Sequence, residues 1–259
     1  RVGYNALIDF FVEDLDWFKL LNNYVLLSPE AMGMALKIHS KSFRFSSLTK
    51  EGYENVIWIE PYVGEYSPLS IKDIVKVSRK YEPIKLSPYA KERIAEGYLN
   101  LQKSKSKNPK IYGMSTGVGS MKDIFIPFLE REQYQKNILL SHAIGTGSYF
   151  DEEVVRAAIL LKVNSFAKGC SGVRLLVVES LIALLNNNIV PAVPQKGSVG
   201  SSGDLVPLAY IALVIIGEGY VIEKNQIVSS KSILQSHKLY PISLVEKEGL
   251  SLINGTEIM

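Results

Sequence analysis

The stretch Gly197-Ser-Val-Gly-Ser-Ser-Gly-Asp204, running at once into the apolar run 205–216, limits what this chain can become more than any other segment. Pro207 falls in the first turn of that run, a position proline tolerates, so the pattern predicts a helix with a flexible glycine-rich hairpin at its N-terminus. Four uses compete for such a loop. The plainest is a helix-entry turn, with glycines supplying positive φ and Ser202 capping the helix. A phosphate cradle is the second, because backbone N–H groups at a helix start attract anions; the P-loop lysine is missing and no strand clearly precedes. A serine nucleophile is the third, but G-x-S-x-G is absent and no histidine lies nearby in the chain.

The fourth is self-condensation. The amide nitrogen of Gly203 attacks the carbonyl of Ser201 and closes a five-membered ring, a step that glycine eases because it lacks a Cβ. Loss of two waters, one from the ring and one from the Ser202 side chain, leaves an exocyclic methylene conjugated with the ring. The result is an electrophile made from the chain, and the positive end of the following helix favours the charge that develops when a nucleophile adds to it.

Composition narrows the classes. With 259 residues and 47% hydrophobic content the chain buries a sizeable core, and its net charge of +3 is too mild and too scattered for a nucleic-acid binder. The local cluster Lys103, Lys105, Lys107 and Lys110 reads as a solvated loop. Cys170 is the single cysteine, so no intrachain disulfide forms and a reducing, cytoplasmic setting is expected. The run 205–216 is too short to span a bilayer, and no membrane association is expected. The chain starts at Arg1 and stops at Met259 inside what reads as a continuing segment, as a piece of a longer enzyme would.

Residues 1–65 read as mixed structure, helical over 6–22 and strand-like over 54–63 around Trp58. Phe10, Phe11, Trp17 and Phe18 are read as a core stripe and His39 as structural. Capped helices are expected from Ser70 and from Ser87 with Pro88 at its first position, then over 133–142, 152–166 and 173–189, with Leu176, Leu181, Leu184 and Leu185 as core. Residues 219–229 alternate as a short hairpin, and His237 is read as exposed.

Three motifs in order carry a resemblance. Gly197 to Ala209, reading GSVGSSGDLVPLA, closely resembles the signature of the aromatic amino acid ammonia-lyases, the histidine, phenylalanine and tyrosine lyases with their aminomutase relatives. Upstream, Tyr112-Gly-Met-Ser-Thr-Gly-Val-Gly119 resembles the family's Tyr-Gly-x-x-Thr-Gly-x-Gly loop. Downstream, Lys247-Glu-Gly-Leu-Ser-Leu-Ile-Asn254-Gly-Thr-Glu257 resembles its Lys-Glu-Gly-Leu-x-Leu-x-Asn-Gly-Thr-Gln motif, with Glu257 in place of the usual glutamine.

The resemblance covers roughly residues 66–259 and leaves 1–65 unassigned. It implies a mainly α protein: the long-helix lyase fold, with a mixed N-terminal active-site domain and the start of a central helical bundle. Its cofactor would be a methylidene-imidazolone (MIO) made from Ser201, Ser202 and Gly203, with no external cofactor and no metal. Ser201 stands where alanine is commonest, and since the ring uses only the backbone carbonyl there, a small serine is tolerated. Tyr112 is the candidate base; its phenol needs a lowered pKa to act at neutral pH. Ser141 and His142 stand where the family faces the substrate ring, and Ser-His there resembles the histidine lyases, whereas tyrosine lyases carry His-Leu and phenylalanine lyases Phe-Leu. A polar pair that can hydrogen-bond an imidazole is also what discrimination against phenyl requires. Asn254 would hold the substrate carboxylate or the ring through its uncharged amide. The implied reaction is non-hydrolytic loss of ammonia from an aromatic L-amino acid, with histidine giving trans-urocanate, in a homotetramer whose sites draw on more than one subunit. Further tyrosine, arginine and glutamate groups of the family follow the Asn-Gly-Thr motif and are expected from beyond Met259 or from a second chain. The alternatives are a tyrosine or phenylalanine lyase or aminomutase, or a non-catalytic helical scaffold with unmodified serines.

Overall fold

Ser70 starts the first described helix through a reciprocal pair of bonds: its hydroxyl accepts from the Asp73 N–H at 3.2 Å while the Asp73 carboxylate accepts from the Ser70 N–H at 3.1 Å. The resulting helix α1 (Ile71–Lys80) lies between two short strands, β1 (Ile57–Ile59) and β2 (Ile84–Leu86), which pair in parallel with Ile57 opposite Ile84. This computed structural model describes residues 56–59, 69–200 and 203–259, all within the unit Asn55–Met259. The readings over 6–22, with Phe10, Phe11, Trp17, Phe18 and His39, lie outside the described residues, as do Ser201 and Ser202.

The protein is mainly α, as expected. Helix α2 (Pro88–Lys107) begins on a Ser87 cap with proline at its first position, and α3 (Arg131–His142), α4 (Glu152–Ala167) and α5 (Leu175–Asn186) follow. Helix α6 (Leu205–Ile215) buries nine of its eleven residues, so it runs through the core rather than over it. Two shorter helices, α7 (Ser230–Ser236) and α8 (Glu248–Ile253), complete the α-helices among the described residues. Strand β3 (Thr146–Tyr149) pairs antiparallel with β5 (Pro194–Lys196), and β4 (Val190–Pro191) edges a hairpin of β6 (Tyr220–Glu223) and β7 (Gln226–Ser229). The hairpin turns on Lys224 and Asn225, both left-handed, the two-residue geometry that suits strand twist.

Buried Arg156 on α4 fastens the ends of two neighbours. Its guanidinium donates to the Val77 carbonyl at 3.2 and 2.9 Å, to the Leu185 carbonyl at 3.2 Å and to Asn188 Oδ1 at 3.2 Å, and it stacks 4.4 Å from the Tyr81 ring. Burial pulls its pKa below the usual arginine value, with Glu152 opposing.

Four details differ from the sequence reading. The lysine cluster 103–107 forms the last turns of α2 rather than a loop, where basic side chains complement the helix dipole. Leu176, in the first turn of α5, is 47% exposed, while Leu181, Leu184 and Leu185 are core. A strand, β5, does precede the glycine-rich loop; its proline start and its length of three residues hid it. The N-cap of α6 is Asp204, not Ser202. His237 is exposed, as read.

Candidate active site

The loop before α6 is held from both of its ends. Gly197, Gly200 and Gly203 all sit at positive φ, 127°, 70° and 117°. The Ser198 hydroxyl donates to Asp204 Oδ1 at 2.5 Å, closing the hairpin, while the second oxygen, Oδ2, is buried without a partner. The Asp204 N–H donates to the Gly255 carbonyl at 2.8 Å, and a Cβ at Gly203 would stand 2.5 Å from the same oxygen. Two motifs 52 residues apart therefore meet backbone to backbone, and only glycine fits at 203. That contact at a helix N-terminus fits a ring closed through the Gly203 nitrogen, since glycine brings no side chain of its own against the Gly255 backbone.

Helix α3 organises the rest. Its buried Gln135 donates through Nε2 to the Gly113 carbonyl at 3.1 Å and accepts through Oε1 from the Gly249 N–H at 2.9 Å, so one amide ties the Tyr112 loop to α8. Tyr134 accepts the Val118 N–H at 3.0 Å, and Arg131 Nε donates to the Ile126 carbonyl at 3.2 Å. Arg131 also reaches Glu246 at 3.5 Å and lies 5.7 and 5.6 Å from the Phe125 and Phe128 rings; Lys105 pairs with the same carboxylate. Tyr112 is half exposed, and its oxygen accepts the Gly119 N–H at 2.9 Å.

At the other end of α3 the Ser141 hydroxyl turns back onto the Ile138 carbonyl at 3.0 Å. His142 Nδ1 is 2.8 Å from that carbonyl, which only accepts, so Nδ1 carries a proton and Nε2 is the acceptor of the neutral ring. Of the expected polar pair, Ser141 has its proton committed to its own helix and lies 3.2 Å from His142 Nδ1, keeping only acceptor capacity. Asn254 is exposed, and its backbone carbonyl accepts from Lys162 at 2.9 Å.

Lys162, Gln135, Glu248 and Tyr210 had no role in the sequence reading. The one local signal was a lysine interrupting the apolar pattern of α4. Lys162 is 3% exposed and sits 3.4 Å from Glu257 Oε1, so the carboxylate that replaces the family's glutamine lies beside a buried cation. Burial lowers the Lys162 pKa and Glu257 opposes it. The unfolded chain then keeps this proton to higher pH than the folded one, so stability rises as pH climbs through the lowered value. Replacing Lys162 by methionine is expected to remove that rise. In urea titrations, the cycle of Lys162→Met, Glu257→Gln and the double variant should show a coupling of roughly 1–3 kcal/mol; additive effects would mean that the pair does not act as one.

No group of three or more acidic, histidine or cysteine side chains that could hold a metal ion occurs among the described residues, and none of the described helices is long and apolar enough to cross a membrane.

Comparison with known proteins adds to this geometry. The sequence pattern of the family described as "Aromatic amino acid lyase" matches residues 69–259. A histidine ammonia-lyase of Caldanaerobacter subterraneus subsp. tengcongensis is 44% identical over 191 residues, which are 74% of this chain and 38% of that protein. Among solved structures, the ergothionase of Treponema denticola, an ergothioneine-degrading enzyme, superposes with a TM-score of 0.73 at 30% identity, covering 78% of this chain and 40% of that one. The histidine ammonia-lyase of Trypanosoma cruzi superposes with a TM-score of 0.64 at 33% identity, covering 71% of this chain and 35% of that one. The chain thus spans about two fifths of the length of the relatives it matches.

Proposed function

Because this chain belongs to the aromatic amino acid lyase family, we propose that it forms the electrophile-bearing part of an enzyme that eliminates ammonia from L-histidine to give trans-urocanate. The observation that carries this reading is the packing of Gly203 against Gly255 at the start of α6. It puts the glycine-serine loop beside the Asn-Gly-Thr turn. The kinship with a histidine ammonia-lyase at 44% identity supports histidine over other substrates, as does a His142 whose Nε2 is free to accept an imidazole N–H.

Ser201, Ser202 and Gly203 would form the methylidene-imidazolone, which would supply an electron-poor double bond. The N–H groups at the start of α6 favour negative charge built up there. Tyr112 takes the β proton, the carbon–nitrogen bond breaks, and ammonia leaves with a conjugated double bond behind it. His142 Nε2 accepts from the substrate ring, and the Asn254 amide binds the substrate carboxylate without adding charge. We place the assembled enzyme in the cytoplasm as a homotetramer, with residues 66–259 as the N-terminal portion of the lyase domain, acting on a small amino acid and needing no metal or external cofactor.

The purified protein should have an intact mass lower than the sequence mass by two water molecules and, assembled with the part of the enzyme that supplies the further site groups, should convert histidine, followed by product absorbance. His142→Leu should shift the preference between histidine and tyrosine by roughly a hundredfold. An unchanged mass in the assembled protein, or equal turnover of histidine and tyrosine, would overturn the reading.

A further inference from the structure

Helix α6 is apolar almost throughout, and Tyr210 is the member that carries a polar tip. Its hydroxyl reaches out of the core to the segment that leaves α3, donating to the Ala143 carbonyl at 3.0 Å and the Gly145 carbonyl at 3.1 Å. Those are the first and third residues after His142. Burial holds the Tyr210 pKa above the ordinary tyrosine value, with the Gly145 bond opposing, so the hydroxyl keeps its proton and remains a donor. The same ring closes the space at Gly145, where a Cβ would stand 3.1 Å from Tyr210 Cε2, 3.1 Å from Pro194 Cβ and 3.2 Å from the Lys196 carbonyl. On its far side Gly145 backs onto Gly197, whose own Cβ would stand 3.0 Å from the Gly145 Cα.

We propose that Tyr210 is a positioning residue that fixes the 143–145 segment, and through it the His142 ring, to the helix that presents the reactive loop. This rests on the histidine reading above and adds to it the group that sets the distance between ring recognition and the electrophile. A hydroxyl shared between two carbonyls suits that role because it restrains the backbone at two nearby points without occupying substrate space. The Asp204 bonds secure the loop from its own end, so Tyr210 acts on the recognition side, and its loss should weaken binding while leaving ring closure intact.

The test uses Tyr210→Phe, which removes only the hydroxyl, and Gly145→Ala, which pushes on the same contact from the opposite side, both in the assembled protein. Amide hydrogen exchange by mass spectrometry, intact mass, and KM and kcat for histidine are measured for each. Exchange over residues 143–150 should rise about tenfold and KM fivefold to tenfold, the scale of one lost hydrogen bond, with kcat within about twofold and the two-water mass loss retained. Unchanged exchange in Tyr210→Phe overturns the proposal, as does a fall in kcat equal to the rise in KM, or a KM effect in Gly145→Ala alone. The exchange measurement needs no substrate. If the unaltered protein leaves histidine untouched the histidine reading fails, while exchange over 143–150 still decides whether Tyr210 holds the segment.

Discussion

Gly203→Ala is expected to abolish turnover and ring closure together, leaving the mass of the unprocessed sequence. Gly203 sits at φ +117°, where a Cβ is strained, and that Cβ would meet the Gly255 carbonyl at 2.5 Å and the Gly255 nitrogen at 3.1 Å. Both neighbours are backbone, so neither can swing aside as the tip of a long side chain does. Relief requires the loop to lift from the 254–257 turn, which stretches the Asp204 N–H bond to the Gly255 carbonyl, 2.8 Å in the intact site. The nitrogen that would close the proposed ring then leaves its place. Loss of the electrophile should forfeit most of the acceleration of ~10⁶-fold or more that an enzyme supplies. Substantial activity in this variant, measured alongside intact mass, would show that neither the close approach nor the ring is required.

Glu248→Ala is expected to cost about 3–5 kcal/mol of stability, because it strips four donors of one buried acceptor. Glu248 is fully buried in the first turn of α8. Its Oε1 accepts from the Arg174 N–H at 3.0 Å and from Arg174 Nε at 2.8 Å, and its Oε2 accepts from Arg174 Nη2 at 2.8 Å and from the Val245 N–H at 2.8 Å. That bonding raises the Arg174 pKa above its usual value, the hydrogen bond with Glu248 being the largest cause. Alanine leaves the Arg174 and Val245 N–H groups without this acceptor and the guanidinium with only the Ser243 carbonyl, at 2.6 Å from Nη2. Urea unfolding of the two proteins side by side measures the loss, and Glu248→Gln, which keeps two acceptor positions at most, should fall between them. A loss below ~1 kcal/mol for alanine would mean that water or a shifted carbonyl satisfies these donors.

The helices could be read from the chain because their signals are local. The Ser70 and Asp73 capping pair, Pro88 after Ser87, and the Lys224-Asn225 turn each act within a few residues. The glycine-serine loop, the Tyr112 loop and the Asn-Gly-Thr turn were legible for the same reason. The ties between them were not. Gln135 bonds Gly249 across 114 residues, Arg174 and Glu248 are 74 apart, and Tyr210 reaches back 67 to Ala143. No periodicity carries that information, because the partners share a neighbourhood only after the core has formed. Lys162 hinted at itself by standing in an apolar pattern, yet its partner Glu257 read only as a departure from a family glutamine.

Helix α3 works as a ruler, with the anchor points of the Tyr112 loop at one end and His142 at the other. Adding or deleting a residue between Gln135 and Ser141 would swing the far end by about 100° around the axis. With the roles proposed for Tyr112 and His142, divergence in substrate preference can proceed by exchanging side chains in the last turn, whereas changes of length there would misalign the two proposed groups at a stroke.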